Sequence, residues 1–283
     1  MAKILVTGSK GQLGSELRDI LIHDKSHTIF LTDQEDLDIT NRSAVNGFIE
    51  ENGVEIIINC AAYTAVDNAE DNALLCEKVN RDAPAILASA AKKADALLIH
   101  ISTDYVFNGL GPLPYREDMR PDPCGVYGRT KAEGEFEVTQ SGARHIIIRT
   151  SWLYSTYGNN FVKTILRLAK ERDSLNVVFD QIGTPTYAAN LAKTIMLSTT
   201  LPNGIYHYSD EGVCSWYDFA VEIVKLSGSS CKVSPVTSEN FPTKAKRPPY
   251  SVMDKGKIRK ALAIEIPHWR DSLNLFYSKL TEL

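Results

Sequence analysis

The sequence predicts an α/β protein in which a doubly wound parallel sheet is joined to a smaller α+β domain. Two observations support this prediction. Short apolar runs alternate with amphipathic helical stretches over the first 150 residues, and the alternation stops after that point. Apolar runs of this kind are typical of strands buried on both faces, and strand–helix alternation indicates βαβ crossovers. The 283 residues are 43% hydrophobic and 23% charged, which excludes a disordered or fibrous chain.

Each element follows from its local pattern. In the first region the predicted strands are 3–7, 28–32, 55–59, 96–101 and 144–149. The predicted helices there are 12–23, 43–51, a long stretch whose last section begins at Pro84, and 127–138. Later helices are predicted at 161–171, 188–198, 216–226, 255–261 and 270–280, with a strand at 176–179. We therefore predict a dinucleotide-binding domain over 1–150 and a mainly substrate-binding domain over 151–283, interleaved with the first.

Charge and cysteine content narrow the class of protein. A net charge of −4 gives no electrostatic basis for binding nucleic acid, and no run approaches the ~18 apolar residues of a membrane span. The first residues lack the long apolar region of a secretory signal. Five cysteines without a C-x-x-C pair argue against a disulfide framework and a zinc site. We predict a cytoplasmic, metal-independent protein with no nucleic-acid or membrane partner.

Three glycines follow the first predicted strand and open the first helix. Gly8, Gly11 and Gly14 allow a sharp turn, close backbone approach to a pyrophosphate, and close helix–strand packing, as in Rossmann-like domains. Asp33 ends the second strand, where an acid can accept hydrogen bonds from the ribose hydroxyl of NAD, although it can equally be a solvated turn residue. Lys10 in the loop can instead attract the 2′-phosphate of NADP. Both NADH and NADPH therefore remain open.

A second motif carries acid–base chemistry. Tyr127 and Lys131 form Y-x-x-x-K, so that they share one face of the predicted helix. An ammonium near a phenol is expected to lower the phenol pKa from about 10 and to help it exchange a proton with a carbonyl or alcohol. Ser102 and Thr103 end a predicted parallel strand, at the edge where open α/β sheets bind ligands. A hydroxyl there can polarise a substrate carbonyl.

Five segments together resemble the extended short-chain dehydrogenase/reductases. They are TGSKGQLG, NCAAYTAVDNAE, STDYVFNG, YGRTKAEGE and RTSWLYSTYGNNFVKTILRLAKE. The resemblance implies a Rossmann-like fold and reduction of the C4 keto group of dTDP-4-dehydro-L-rhamnose by NADPH or NADH. It implies a dTDP-sugar partner and a monomer or weak homodimer. The alternatives are a reductase or epimerase of another nucleotide-sugar, and a non-catalytic subunit resembling the regulatory subunit of methionine adenosyltransferase.

The resemblance also assigns residues. It implies that Tyr127 is the proton donor, that Lys131 is its partner and holds the nicotinamide ribose, and that Thr103 assists at the carbonyl. Cofactor contacts are implied for Gly11, Gln12, Leu13, Asp38, Ile39, Ala62, Tyr63 and Thr64, and substrate contacts for Thr103, Asp104 and Trp152. Some relatives dimerise through magnesium held by glutamates. Glu16 matches one of these, but Ala189 stands where another is expected, so we predict that the metal-bridged dimer is absent.

A few residues keep two interpretations. Asn159 and Asn160 can cap the following helix or reach the substrate. Lys244, Lys246 and Arg247 can form a solvated loop or a clamp on a sugar diphosphate. Cys60 is interpreted as a small apolar filler and not as a nucleophile.

Overall fold

The computed structural model describes residues 1–282 and is built around one six-stranded sheet. The strands in chain order are β1 (Lys3–Thr7), β2 (Thr28–Thr32), β3 (Ile56–Asn59), β4 (Leu97–Thr103), β5 (Arg144–Thr150), β6 (Leu153–Tyr154), β7 (Ser174–Val178), β8 (Ile182–Gly183), β9 (Thr186–Tyr187), β10 (Gly204–His207), β11 (Cys214–Ser215) and β12 (Lys232–Val236). The large sheet has the order β10-β5-β4-β3-β1-β2, and all its pairings are parallel. The predicted doubly wound α/β fold is confirmed.

The helices cover both faces of this sheet. They are α1 (Gln12–Leu21), α2 (Arg42–Asn52), α3 (Val66–Ala69), α4 (Ala73–Glu77), α5 (Ala83–Lys93), α6 (Val126–Gln140), α7 (Phe161–Glu171), α8 (Ala188–Leu197), α9 (Trp216–Leu226), α10 (Gly256–Leu262) and α11 (Trp269–Glu282). A π-helical turn at Lys78–Asp82 joins α4 to α5, and Pro84 stands in the first turn of α5, as the sequence predicted. Within residues 1–282, no helix combines the length and the apolar content that crossing a bilayer requires.

Successive side chains of each central strand point to opposite faces of the sheet and pack into two separate cores. In β1, Ile4 and Val6 pack with α1 and α8 on one face, and Leu5 packs with α2 and α5 on the other. All three side chains are fully buried, which stabilises the fold by about 1.5–3 kcal/mol each. Burial on both faces explains why the strands read as uninterrupted apolar runs.

The residues beyond 150 form a second core, but one of their strands belongs to the large sheet. Here α7, α9 and α11 enclose a cluster of aromatic side chains that includes Tyr154, Phe219 and Trp269. β10 instead pairs with β5 at the edge of the large sheet. The sequence analysis did not identify β10 or the short strands β6, β8, β9, β11 and β12. The domain division at residue 150 stays a prediction, with β10 as a segment of the second region that extends the first.

Chain order reverses between β1 and β3, which lie side by side while β2 lies outside β1. At such a switch point the loops after the two strands diverge to opposite faces and leave a crevice at the carboxyl ends of the strands. The loop after β1 contains the glycines, and β4 ends at Thr103 along the same edge. The topology therefore places the glycine loop and the predicted catalytic residues at one edge.

Candidate active site

A single cleft of about 1020 Å³ lies at this edge of the sheet. Every residue that the sequence analysis predicted for catalysis, cofactor binding or substrate binding lines it: Gly8, Gly11, Gln12, Leu13, Asp33, Asp38, Ile39, Ala62, Tyr63, Thr64, Thr103, Asp104, Tyr127, Lys131 and Trp152. The structure thus brings together side chains from both predicted regions. The role of each residue stays a prediction.

The glycine loop is shaped by close backbone contacts. Gly8 has a φ of +66°, and a Cβ at this position would lie 2.7 Å from the amide nitrogen of Ala61. A Cβ on Gly14 would overlap the carbonyl of Gly8. Helix α1 begins at Gln12 and turns its unpaired N–H groups towards the cleft, where they can bind a phosphate. The cradle therefore fits a dinucleotide only while these positions lack side chains.

Asp33 joins the end of β2 to this loop. One of its carboxylate oxygens accepts a hydrogen bond from the backbone N–H of Lys10 at 3.0 Å, and the other accepts one from Gln34 at 2.9 Å. The Lys10 ammonium lies 2.7 Å from the carboxylate of Glu35, and both side chains are exposed. Asp33 therefore shapes the loop and also faces the cleft. These contacts leave the choice between NADH and NADPH open.

Tyr127 and Lys131 lie in the first two turns of α6, in different environments. Lys131 is 2% exposed; its ammonium donates a 2.6 Å hydrogen bond to the carbonyl of Ile101, and burial lowers its pKa to about 8. Burial also raises the pKa of the Tyr127 phenol, and the nearby Asp104 carboxylate adds to this rise. The expected lowering of the Tyr127 pKa is therefore wrong for the protein alone, because desolvation dominates. Tyr127 keeps its proton at neutral pH, as a proton donor requires.

Thr103 and Asp104 follow Lys131 along the cleft wall. The Thr103 hydroxyl donates to Asp104 Oδ1 at 3.0 Å and accepts from the backbone N–H of Tyr105 at 3.2 Å. Asp104 is 2% exposed, its Oδ2 has no hydrogen-bond partner within residues 1–282, and burial raises its pKa to about 6. Asp104 lines the cleft, and a carboxylate there can accept hydrogen bonds from hydroxyl donors of a ligand, such as those of a sugar.

A buried ion pair fixes α6 to the sheet beneath the cleft. The guanidinium of Arg149 on β5 donates to both carboxylate oxygens of Glu135, at 2.9 and 2.6 Å. The Ser102 hydroxyl donates to the same carboxylate at 2.5 Å. The strand end that carries Thr103 and the helix that carries Lys131 are thereby held together by charge.

The far end of the cleft is aromatic. Trp152 has a φ of +48°, and its indole stacks on that of Trp216 with ring centroids 3.6 Å apart and planes at 8°. Both rings line the cleft. The sequence analysis predicted Trp152 and missed Trp216, which begins α9 directly after the capping residue Ser215. The available signal was the start of the helix, because Ser215 is a typical N-cap residue and marks Trp216 as the first helical residue.

Arg247 and Lys244 belong to the same basic cluster but make different contacts. It lines the cleft, donates to the Tyr105 hydroxyl at 3.0 Å, and forms a 2.6 Å ion pair with Asp67. Lys244 instead pairs with Asp71. A clamp on the substrate would thus involve Arg247, and the wider cluster is a surface loop.

The two asparagines also differ. The Asn160 side chain accepts from the N–H of Lys163 at 3.1 Å and caps α7, and its amide donates to Gln12 Oε1 at 3.1 Å. Asn159 lines the cleft. The capping interpretation therefore applies to Asn160, and Asn159 is the one that lines the cleft.

Glu16 and Ala189 lie outside the cleft, whereas Cys60 lines it. Glu16 accepts a 2.6 Å hydrogen bond from Ser155, and Ala189 is buried in the second core. Within residues 1–282, no three side chains of His, Cys, Asp or Glu are grouped to hold a metal ion. Burial raises the pKa of the Cys60 thiol to about 12, which disfavours the thiolate that a nucleophile needs.

Comparison with known proteins supplies independent evidence. The sequence profile of a family described as "RmlD substrate binding domain" matches residues 2–282. A dTDP-4-dehydrorhamnose reductase of Aggregatibacter actinomycetemcomitans is 41% identical over 96% of this chain and 97% of its own length. The crystal structure of a dTDP-4-dehydrorhamnose reductase from Clostridium acetobutylicum has a TM-score of 0.95 and 44% identity, covering 99% of each chain. That of the Bacillus anthracis enzyme in complex with NADP also has a TM-score of 0.95, with 41% identity over 99% of this chain and 100% of the other.

Proposed function

Because the chain belongs to the RmlD substrate binding domain family, within the extended short-chain dehydrogenase/reductases, we propose that it reduces the C4 keto group of dTDP-4-dehydro-L-rhamnose to give dTDP-L-rhamnose. The observation that supports this most strongly is the cleft itself. A glycine cradle, a Tyr–Lys pair and a threonine hydroxyl all line it, in a chain about 40% identical over nearly its whole length to enzymes named for this reaction.

The cofactor is NADPH or NADH, which supplies a hydride when it is bound. The cradle of Gly8, Gly11 and Gly14 and the N-terminus of α1 hold its pyrophosphate. Asp33, Asp38, Ile39, Ala62, Tyr63 and Thr64 also line the cleft. The first three would contact the adenosine, and the last three would contact the rest of the cofactor. The fit depends on the backbone contacts described above, because a side chain at Gly8 or Gly14 would fill the cradle.

Three side chains act on the substrate carbonyl. Tyr127 donates its proton to the oxygen at C4 as that oxygen becomes a hydroxyl, and its raised pKa keeps the proton available at neutral pH. The Thr103 hydroxyl orients the carbonyl, and Lys131 holds the ribose beside Tyr127. Asp104 accepts from sugar hydroxyls, and Trp152 packs on the sugar or the base.

The test is an NADPH-oxidation assay with dTDP-4-dehydro-L-rhamnose, followed by identification of the product. We expect Tyr127→Phe to lose at least about 100-fold in kcat, the contribution of a positioned acid. Tyr206→Phe is the matched control, since its hydroxyl bonds the Pro202 carbonyl outside the cleft. Undiminished turnover in Tyr127→Phe would rule out this donor.

The other assignments are tested with the same protein. Reduction of a different 4-keto nucleotide-sugar, or epimerisation, would redirect the substrate assignment. Cofactor binding without any reduction would indicate a regulatory subunit. We also propose a cytoplasmic location, supported by five free thiols, and a monomer or weak homodimer without a magnesium bridge, supported by Ala189.

A further inference from the structure

A row of buried polar side chains runs across three neighbouring strands and ends at Lys131. Thr7 on β1 lies opposite Asn59 on β3, and Asn59 lies opposite His100 on β4. The Thr7 hydroxyl donates to Asn59 Oδ1 at 2.7 Å, Asn59 Nδ2 lies 3.0 Å from His100 Nδ1, and His100 Nε2 lies 3.5 Å from Lys131 Nζ. None of the four residues is more than 2% exposed. Polar groups buried this deeply in a sheet need a reason.

The positions of the protons in this row follow from one backbone contact. The N–H of Ala61 donates to Asn59 Oδ1 at 3.2 Å. A backbone N–H can only donate, so the oxygen of the Asn59 amide must face it, and the NH₂ group must face His100. His100 Nδ1 is therefore an acceptor. Burial and the Lys131 charge hold the pKa of His100 well below its usual value, so the ring is neutral and its proton is on Nε2.

This proton faces Lys131, which has consequences for the amine. An N–H group donates a hydrogen bond to a neutral amine but not to an ammonium, which has no lone pair. A bond made only to the neutral form stabilises that form. The other ionisable groups facing Lys131 are Cys60 after β3, Cys76 on α4 and Glu135 on α6. Tyr127 lies about one helical turn before Lys131 on α6. The Glu135 carboxylate is already bound by Arg149 and Ser102.

A second buried histidine in the same sheet has the opposite arrangement. His207 on β10 donates from Nδ1 to the carbonyl of Tyr115 at 3.1 Å, so its Nε2 has a lone pair that accepts from Arg149 at 3.3 Å. Burial lowers its pKa to about 3, so it too is neutral. His207 thus stabilises the charge of Arg149 with a lone pair, whereas His100 directs an N–H group at Lys131 and does not stabilise its charge.

We infer that Thr7, Asn59 and His100 form a positioning row that directs an N–H at Lys131, stabilises its neutral amine, and so enables Lys131 to return a proton to Tyr127 after each turnover. The inference rests on the proposed function. In this cycle the Tyr127 O–H bond breaks as its proton passes to the C4 oxygen of the sugar. The phenolate then takes a proton from the Lys131 ammonium, and the resulting amine regains one from water.

The first test is the tautomer of His100 in the full-length protein labelled with ¹⁵N-histidine. The ¹⁵N chemical shifts are expected to show the proton on Nε2 of His100 and on Nδ1 of His207, with His100→Gln used for assignment. A proton on Nδ1 of His100 would overturn the inference. The tautomer is read in the wild-type protein and needs no active assay, so it is independent of the proposed function.

The second test reverses the row. In Asn59→Asp, one carboxylate oxygen still accepts from Thr7 and Ala61, and the other accepts from His100 Nδ1. His100 Nε2 then becomes an acceptor for the Lys131 ammonium. We expect the His100 tautomer to switch, that of His207 to stay unchanged, and the alkaline limb of the kcat profile to move up by about one pH unit or more.

The added charge has its own effect, which a control measures. The double variant Asn59→Asp with His100→Phe carries the added charge but has no histidine whose tautomer can switch. Relative to His100→Phe alone, its alkaline limb is expected to move less than the limb of Asn59→Asp moves relative to the wild type. A switched tautomer with an unmoved limb, or equal shifts in both backgrounds, would overturn the inference. A wild-type protein with the expected tautomer but no reductase activity would instead contradict the proposed function.

Discussion

Removing the charge of Glu135 is expected to destabilise the fold severely. Glu135 and Arg149 are 3% and 1% exposed, and two hydrogen bonds of 2.9 and 2.6 Å join them. In Glu135→Gln the Arg149 guanidinium stays buried, 5.0 Å from the Phe107 ring and next to the neutral His207. No other carboxylate in the described chain forms an ion pair with it.

The magnitude follows from this burial. Breaking one partner of a buried ion pair costs about 3–5 kcal/mol, because the remaining charge is desolvated without compensation. For a chain of this size, each kcal/mol lowers the Tm by roughly 2–4 °C, so a fall of about 10 °C is expected. The Ser102 hydroxyl loses its ionised acceptor as well. We therefore expect kcat to fall, since Thr103 is the next residue on the strand.

Denaturant unfolding and calorimetry measure the effect. The control is Glu171→Gln, which removes an exposed ion pair with Arg167 on α7 and should cost less than about 1 kcal/mol. The double substitution Glu135→Leu with Arg149→Met should be less destabilising than the sum of its single changes, because no charge is left buried. If the free energy of unfolding of Glu135→Gln is within about 1 kcal/mol of the wild-type value, the buried charge does not have the predicted cost.

Three further predictions concern the cleft. A Cβ on Gly183 would lie 2.6 Å from the Trp152 indole, so Gly183→Ala must displace the ring by about 1 Å. Steady-state kinetics should show the KM for the nucleotide-sugar raised about tenfold, with kcat nearly unchanged. An unchanged KM would contradict this role of Trp152. Gly14→Ala forces α1 away from the Gly8 carbonyl and should raise the Kd for NADPH at least about tenfold in a fluorescence titration, whereas wild-type affinity would exclude the proposed cradle. Because burial raises the pKa of Asp104 to about 6, this carboxyl becomes protonated as the pH falls below 6 and accepts sugar hydroxyls less well. The KM for the sugar should therefore rise below pH 6 in the wild type and stay flat in Asp104→Asn, and parallel profiles would refute the assignment.

The sequence predicted the parts of the fold that local patterns determine. The strand at 28–32 and the helices at 161–171 and 216–226 have the predicted bounds. Each helix buries one apolar stripe, which leaves a helical period in its residues, and the strand is a short run of apolar and β-branched residues. The strand β10 has no such signal. Its four residues, GIYH, mix sizes and polarity, and it becomes a strand only because β5 offers a free edge.

The candidate site divides in the same way. The glycine loop and the Tyr–Lys pair are local spacings, so the sequence was sufficient to find them. Trp216 at the start of α9 and Arg247 in a loop are distant in sequence from the other site residues. Trp216 reaches the cleft through packing of the second core, and Arg247 is held there by Tyr105 and Asp67. The pKa of Tyr127 was also out of reach, since the balance between desolvation and a nearby cation depends on burial that spacing does not reveal.

The two buried cations beneath the cleft show what packing adds to residue identity. Arg149 receives a carboxylate, a histidine lone pair and an aromatic face, so its charge is compensated at every side. Lys131 receives one carbonyl oxygen and faces an N–H, so its charge is only weakly stabilised. Arg149 follows an apolar run in the sequence and Lys131 lies in a polar one, but each has a histidine nearby in the fold. Both histidines face their cation with Nε2, and the difference arises from the partner of Nδ1: an amide NH₂ that donates to His100 and a carbonyl oxygen that accepts from His207. This difference leaves Arg149 as a structural charge and Lys131 as an amine that can exchange its proton.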